Sequence, residues 1–287
     1  MLSYRHAFHA GNHADVLKHY VLSLVLDYFN QKPAAYSYID THAGAGLYGL
    51  KDAFAQKNGE FENGIARLID AKNLPSTLSD FVACIQSFNA NNSLDFYPGS
   101  PKIAAQYLRE HNQTGSDKMR LFELHPTDYQ LLLKNFSEHN SRQIKVSMQN
   151  GFDGIKACLP PPSRRAVVLI DPPYEIKEDY ALVVDCIKDS LKRFATGTYL
   201  IWYPLLQRPE PAQMCQQLTK VNPQNWLNIQ LTVQAPSENG YGMYGSGIFI
   251  INPPYVLPKL LNEAMPIMTE LLSLDETANY QLSSKIT

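Results

Sequence analysis

The run Val167-Val-Leu-Ile170 passes without a break into Asp171-Pro172-Pro173-Tyr174, and this junction constrains the fold more than any other stretch of the chain. Consecutive apolar, mainly β-branched residues read as a strand buried on both faces, the pattern of a parallel sheet covered by helices. Proline holds its own φ and drives the residue before it into extended backbone, so the strand stops in a rigid turn. Such a turn presents an acid and an aromatic ring at the carboxyl edge of the sheet, where open α/β sheets hold their ligands.

The remaining sequence alternates strand and helix in the same sense. Strands are expected at 36–41, 118–124, 143–148, 166–170, 199–203, 228–233 and 247–251, seven in all, with helical patterns between most of them. This predicts an α/β fold, Rossmann-like, with a seven-stranded, mostly parallel sheet. Hydrophobic residues make up 45% of the 287 and charged ones 18%, which excludes a disordered, collagenous or coiled-coil chain. Ahead of the first strand, Val16, Leu17, Tyr20, Val21, Leu24, Val25, Tyr28 and Phe29 form a helical stripe, with Asn12 or Asp15 as its cap and Pro33 beyond its end. Residues 50–98 are mixed and polar, with helix-like stretches at 64–72 and 78–90. They read as a helical insertion subdomain in a single domain spanning 1–287, flanked by 1–49 (amino-terminal lid, helix and first strand) and 99–287. The polar, weakly patterned stretch 274–287 is expected to fray.

Charge and cysteines narrow the setting. With 25 basic and 27 acidic side chains the chain has no global positive field, so any nucleic-acid contact has to be local. Cys84, Cys158, Cys186 and Cys215 are widely spaced, without a zinc or redox pairing, which fits free thiols in a reducing cytosol. No early apolar run reaches membrane-spanning length or resembles a signal peptide, so a cytoplasmic location is expected.

Three strand-end motifs carry chemistry. Asp40-Thr-His-Ala-Gly44-Ala-Gly46 puts an acid and two glycines at the end of the first strand, where the backbone has to turn tightly and approach a ligand; no phosphate-cradling Lys-Ser/Thr follows. Glu123 ends an apolar strand as a ribose-holding acid would. It lies 77 residues after Gly46 rather than the usual ~20, a gap that the insertion accounts for. Asp171-Pro172-Pro173-Tyr174 is the third.

An exocyclic amine on a nucleobase is a poor nucleophile because its lone pair is delocalised into the ring. A carboxylate and a main-chain carbonyl accepting both hydrogens help pyramidalise the nitrogen and offset the positive charge that develops on alkylation. Asp171 and the Pro172 carbonyl are such a pair, and Tyr174 offers a face on which a flipped base stacks, worth roughly 1–3 kcal/mol. The motif does not itself choose the acceptor: DNA adenine, guanine-N2 and a protein glutamine are all planar amines. A nucleotide or RNA binder that has lost the reaction is the second class. Asn252-Pro253-Pro254-Tyr255 follows the last expected strand and is read as a strand exit. At the amino terminus Tyr4, Arg5, His6, His9, His13, Lys18 and His19 read as a polar lid near the pocket. His9 and His13 are four apart, but no further ligand completes a metal set and no metal is expected.

The block 1–19, the 40–46 turn and Leu169-Ile-Asp-Pro-Pro-Tyr174 together closely resemble the RlmJ family of bacterial 23S ribosomal RNA adenine-N6 methyltransferases. Further matching runs lie at 97–101, 123–126, 193–199 and 251–254. The resemblance implies a class I S-adenosylmethionine-dependent domain, S-adenosyl-L-methionine as cofactor, and methylation of one adenine of 23S rRNA, offered as protein-free RNA to a monomer. Carried over by position, His19, His42, Ser100, Glu123 and Asp171 match cofactor contacts, while Tyr4, His6, Lys18 and Asp171 match activity-critical residues. The amino terminus becomes a mobile lid over the base. Where the family can show an acid before Gly-Phe, this chain has Asn150-Gly151-Phe152, and an amide still accepts or donates one bond to the adenine amine of the cofactor. Lys18, Arg5, Arg164 and Arg165 are candidate phosphate contacts.

Overall fold

The computed structural model describes residues 6–52, 59–91, 93–109, 115–139, 142–222 and 224–286. The apolar runs assemble into one sheet whose parallel part follows, side by side, β5 (Ile144–Ser147), β4 (Lys118–Phe122), β1 (Ser37–Asp40), β6 (Ala166–Ile170) and β7 (Thr198–Leu205). β9 (Gly245–Ile251) then pairs antiparallel with β7, β8 (Trp226–Thr232) with β9, and β10 (Asn279–Lys285) with β8. The sheet thus has eight strands, not seven. The extra one is the tail that was expected to fray. Its two apolar residues, Tyr280 and Leu282, alternate onto the core side of a ladder running from Asn279↔Thr232 to Lys285↔Trp226. Among Gln, Ser and Asn neighbours that period-two signal is too short to read from sequence.

Helix α1 (His13–Asn30) starts where Asn12 accepts hydrogen bonds from the Ala14 and Asp15 amides, both at 3.0 Å. Asn12 is therefore the cap, and Asp15 turns inward. The expected stripe proves too narrow, because α1 is buried on nearly every face between the sheet and the insertion. The insertion closes on a two-stranded antiparallel ribbon, β2 (Leu47–Gly49) with β3 (Phe96–Pro98). Its helices α2 (Ile65–Asp70) and α3 (Ser76–Gln86) send Ile65, Leu68, Phe81 and Ile85 into the same apolar cluster as α1. Layered on that helix rather than forming a core of its own, the insertion holds α1 and the segment before it against the sheet.

The remaining helices cover the sheet: α4 (Ser100–Tyr107), α5 (Pro126–Asn135), α6 (Gly151–Cys158), α7 (Glu178–Arg193), α8 (Glu210–Val221) and α9 (Leu257–Leu272). Chain order reverses at β1, which has β4 on one side and β6 on the other. In such sheets the crevice forms outside the carboxyl ends of the strands at this reversal. The ends of β1, β4 and β6 are the three motifs read from sequence. α6 approaches the exit of β1 so closely that a Cβ on Gly151 would lie 1.9 Å from the Thr41 carbonyl oxygen, which only glycine avoids.

Candidate active site

A cleft of about 430 Å³ opens at this reversal point, lined from the β1 exit by His42 and Gly44, from β4 by Glu123, from the start of α6 by Asn150 and Gly151, and from β6 by Asp171, Pro172 and Tyr174. α1 contributes Lys18 and His19, the turn before it contributes His6, and Ser100 stands at the start of α4. Two residues expected at the ligand lie beneath it instead. Asp40 is completely buried, its carboxylate accepting from Tyr38 Oη and Ser100 Oγ, both at 2.7 Å, and from the His42 amide at 3.2 Å. Burial pushes its carboxyl up to about 6, with the hydroxyl bonds opposing. Gly46, at φ +80°, packs against Leu132 and Phe136 and gives the turn its shape rather than a ligand contact. Both departures have one cause: a strand-end acid and glycine look alike in sequence whether they face the ligand or support the loop that does. Tyr4 and Arg5 lie outside the described residues.

The acid just after β4 is held at both oxygens by backbone amides. Glu123 Oε2 accepts from the Gly44 amide at 2.8 Å and Oε1 from the His125 amide at 2.6 Å, so both oxygens are oriented and each keeps a lone pair. Burial raises its carboxyl above the ordinary value while these amides pull the other way. Asn150 caps α6 by accepting the Phe152 amide at 2.9 Å.

The opposite wall is a buried chain of charges. Lys18, 4% exposed, places Nζ 2.6 Å from Asp171 Oδ2 and 2.9 Å from Asp15 Oδ1. Asp15, 1% exposed, also takes His6 Nε2 and the Gly11 amide on Oδ2, each at 2.9 Å. Burial works against the Lys18 ammonium, but the two carboxylates outweigh it and hold its pKa above the ordinary lysine value. For Asp15, burial is likewise outweighed, by His6 and Lys18, leaving its carboxyl well below the usual range. The signal for Asp15 was present in the sequence as Asp15, Lys18 and His19 set among the apolar residues of the expected helical stripe; its role as partner of both His6 and Lys18 was not. Replacing Lys18 with methionine takes an ion-pair partner from the buried Asp15 and from the partly exposed Asp171, so urea denaturation is expected to show a loss of about 3 kcal/mol, and the Asp15→Asn/Lys18→Met pair a smaller loss than the sum of the singles. A Lys18→Met loss below about 1 kcal/mol would mean that the pair is effectively solvated.

Three histidines here are held neutral by burial. His19, with Nδ1 2.8 Å from Tyr97 Oη, is pushed down to about 3, and His42 and His13 to about 4. His9 is turned to Glu60 of the insertion at 3.0 Å, and no group of three His, Cys, Asp or Glu side chains placed to hold a metal occurs among the described residues. The four cysteines are free thiols.

Tyr174 sits at φ +51° with its hydroxyl donating to the Trp202 carbonyl at 2.7 Å and its ring 4.5 Å from that of Tyr180. Only 4% of it is exposed, so it offers the cleft a narrow, rigid strip. Two residues that sequence reasoning missed secure it. Arg208 donates to the Tyr174 carbonyl at 3.2 Å and the Tyr180 hydroxyl at 3.1 Å. Trp202 lines the cleft with Lys18 Nζ 5.7 Å from its ring, and its buried indole N–H has no hydrogen-bond partner among the described residues. Neither stands in a recognisable motif; both arrive from β7 and the loop after it only once the sheet is assembled.

Arg164 and Arg165 precede β6 and so occupy the opposite edge of the sheet, away from Asp171. Arg165 donates to the Ala34 and Phe29 carbonyls around the end of α1. Asn252-Pro-Pro-Tyr255 lies at that edge too, because β9 runs antiparallel. Asn252 Nδ2 donates to the Ala195 and Gly197 carbonyls at 2.8 Å each, closing a turn.

Residues 33–284 match the family model described as "Ribosomal RNA large subunit methyltransferase D, RlmJ". The chain is 44% identical over 281 residues to ribosomal RNA large subunit methyltransferase J of Haemophilus influenzae, covering 98% of this chain and 97% of that one. It is 45% identical over 266 residues to the Escherichia coli protein of the same name, covering 93% and 92%. A crystal structure from Legionella pneumophila superposes with a TM-score of 0.86 at 34% identity over 96% of this chain and 98% of that one.

Proposed function

Because the chain belongs to the RlmJ family of ribosomal RNA large subunit methyltransferases, we propose that it methylates the N6 amine of one adenine in 23S rRNA, with S-adenosylmethionine as donor. The observation that carries the reading is Asp171, held through Oδ2 by Lys18 at the carboxyl end of β6, so that Oδ1 is left to the cleft.

The residues present suit the cofactor. Glu123, with both oxygens oriented by backbone amides, fits a ribose diol; His42, Gly44 and Asn150 border the same part of the cleft, and the carboxylates Glu123 and Asp171 complement a cation. When bound, S-adenosylmethionine supplies an electrophilic methyl group. Everything else falls to the chain. Asp171 Oδ1 and the Pro172 carbonyl accept the two N–H bonds of the adenine amine, turning its lone pair toward the methyl, and Asp171 offsets the positive charge that builds on nitrogen. Tyr174, anchored by Trp202, Tyr180 and Arg208, presents a rigid edge and face to the base, and the Trp202 N–H is a donor within the same wall. Lys18 and Asp15 keep Asp171 in one orientation, which is how positioning lowers the barrier.

The finer reading is a monomer acting in the cytoplasm on protein-free 23S rRNA. No helix among the described residues is long and apolar enough to cross a membrane, and a base can be flipped into such a cleft most easily from RNA that proteins do not cover. Labelled methyl transfer to protein-free 23S rRNA, assembled large subunits, duplex DNA and bulk protein, followed by nucleoside digestion, tests it. N6-methyladenosine from the protein-free RNA is expected. Label confined to assembled subunits would remove the protein-free substrate, and label in DNA, protein or guanine would remove the acceptor.

A further inference from the structure

We propose that Tyr241 forms a stacking subsite for an unpaired RNA base next to the target adenosine. The proposal rests on the reading of the chain as an rRNA base methyltransferase and extends it to a residue outside the motifs. The segment joining β8 to β9 emerges at the same edge of the sheet as Asp171, since the last residues of β7 and β8, Leu205 and Thr232, both pair with Gly245. β7 continues past the end of β6, whose Ile170 pairs with Ile201, so this segment overhangs the cleft. Met243 and Leu206 line the cleft itself.

The tip is a built turn. The Gly240 amide donates to the Ser237 carbonyl at 2.9 Å, the Tyr241 amide donates to Asn239 Oδ1 at 3.0 Å, and Ser237 Oγ donates to the Tyr241 carbonyl. Gly240 and Gly242, at φ +75° and +91°, flank the tyrosine in the left-handed region and throw its ring outward. At 81% exposure it is the most exposed large hydrophobic side chain among the described residues, two positions from one that faces the catalytic cleft. An aromatic ring held into water on a preorganised turn beside a base-binding cleft suits a planar partner. The segment 234–244 has no Lys or Arg and one acid, Glu238, so it suits the face of a base and not a phosphate. Flipping the target adenosine unstacks its neighbours, and an aromatic platform at the rim restores one of those contacts without regard to base identity.

The test is steady-state methylation of protein-free 23S rRNA by Tyr241→Ala, Tyr241→Phe and Tyr241→Trp. Tyr241→Ala is expected to raise KM for RNA roughly tenfold, with kcat and cofactor affinity within twofold of the parent, while Phe and Trp retain the parent KM. The salt dependence of KM should keep its slope, because no phosphate contact is lost. Unchanged RNA kinetics in Tyr241→Ala, including the case where the ring serves a protein partner, overturns the proposal, as does a defect that Phe and Trp fail to rescue. If the parent protein methylates no RNA, the functional reading falls first and this subsite with it; if the parent is active and Tyr241→Ala matches it, the subsite alone is wrong.

Discussion

Asp171→Ala should lower kcat for RNA methylation by about 10²–10³-fold, the usual cost of removing one preorganised group that meets transition-state charge. The expectation follows from what Asp171 touches. Oδ2 is occupied by Lys18 at 2.6 Å, so in the proposed mechanism the substrate amine would meet Oδ1 and the Pro172 carbonyl. Removing the carboxylate takes away one of the two proposed acceptors and the negative charge beside it. Asp171→Asn keeps the shape and one acceptor oxygen but no charge, so it should recover little of the loss if charge is what matters. Lys18 retains Asp15 as a partner at 2.9 Å, and the variant is therefore expected to fold. Cofactor binding measured by calorimetry separates chemistry from binding. A variant that keeps more than a tenth of the parent kcat would take Asp171 out of the catalytic role.

Acid should unfold the cofactor-free protein early, with stability falling steadily between about pH 6 and pH 4. His19 is sealed at 1% exposure and its pKa lies near 3, against 6.5 for the ordinary side chain. A group whose folded pKa is depressed takes up its proton only on unfolding as pH drops below the unfolded value, so its stabilisation is present above 6.5 and is lost toward the folded pKa. That is about 1.4 kcal/mol per pH unit for His19 alone. His13 and His42, near 4, add to it by less, since each is only partly buried. Asp40 opposes: raised to about 6, it binds its proton more tightly folded than unfolded and stabilises on acidification between roughly 6 and 3.8. Asp15, far below the usual range, stays ionised throughout. The balance is a net loss of about 1–2 kcal/mol per pH unit, which matters against a total stability of ~5–15 kcal/mol. Urea denaturation at stepped pH measures it, and His19→Gln should flatten the slope by up to ~1.4 kcal/mol per pH unit. A flat profile in the parent would mean that these imidazoles are solvated.

The catalytic strand end was legible because its constraint is local: Ile170 is apolar and buried, Pro172 and Pro173 forbid continuation, and Asp171 has to emerge where they stop. Glu123 was legible from its strand and from its distance to Gly46. Asp40 shows the limit of such reading. It ends its strand just as Asp171 does, yet Tyr38 and Ser100, 60 positions away in sequence, draw it beneath the loop. Arg164 and Arg165 were misplaced for a related reason: composition marks them as cations, but only strand direction says which edge of the sheet they occupy. The tail strand β10 was lost because two apolar residues in a polar run carry too little periodicity until β8 supplies the other half of the ladder.

By itself, then, the sequence determined the α/β alternation, the three strand-end motifs and the family resemblance, all of which depend on residues close together along the chain or on spacing between strong local signals. Tertiary structure alone decided the rest. It made Asp15 the partner of both His6 and Lys18, with Lys18 bridging on to Asp171, brought Arg208 and Trp202 behind Tyr174, and set Met243 of the β8–β9 segment in the cleft wall. Each of these depends on which distant groups share a buried space. There the cost of an unpaired charge or an unmade hydrogen bond selects partners that no local pattern names.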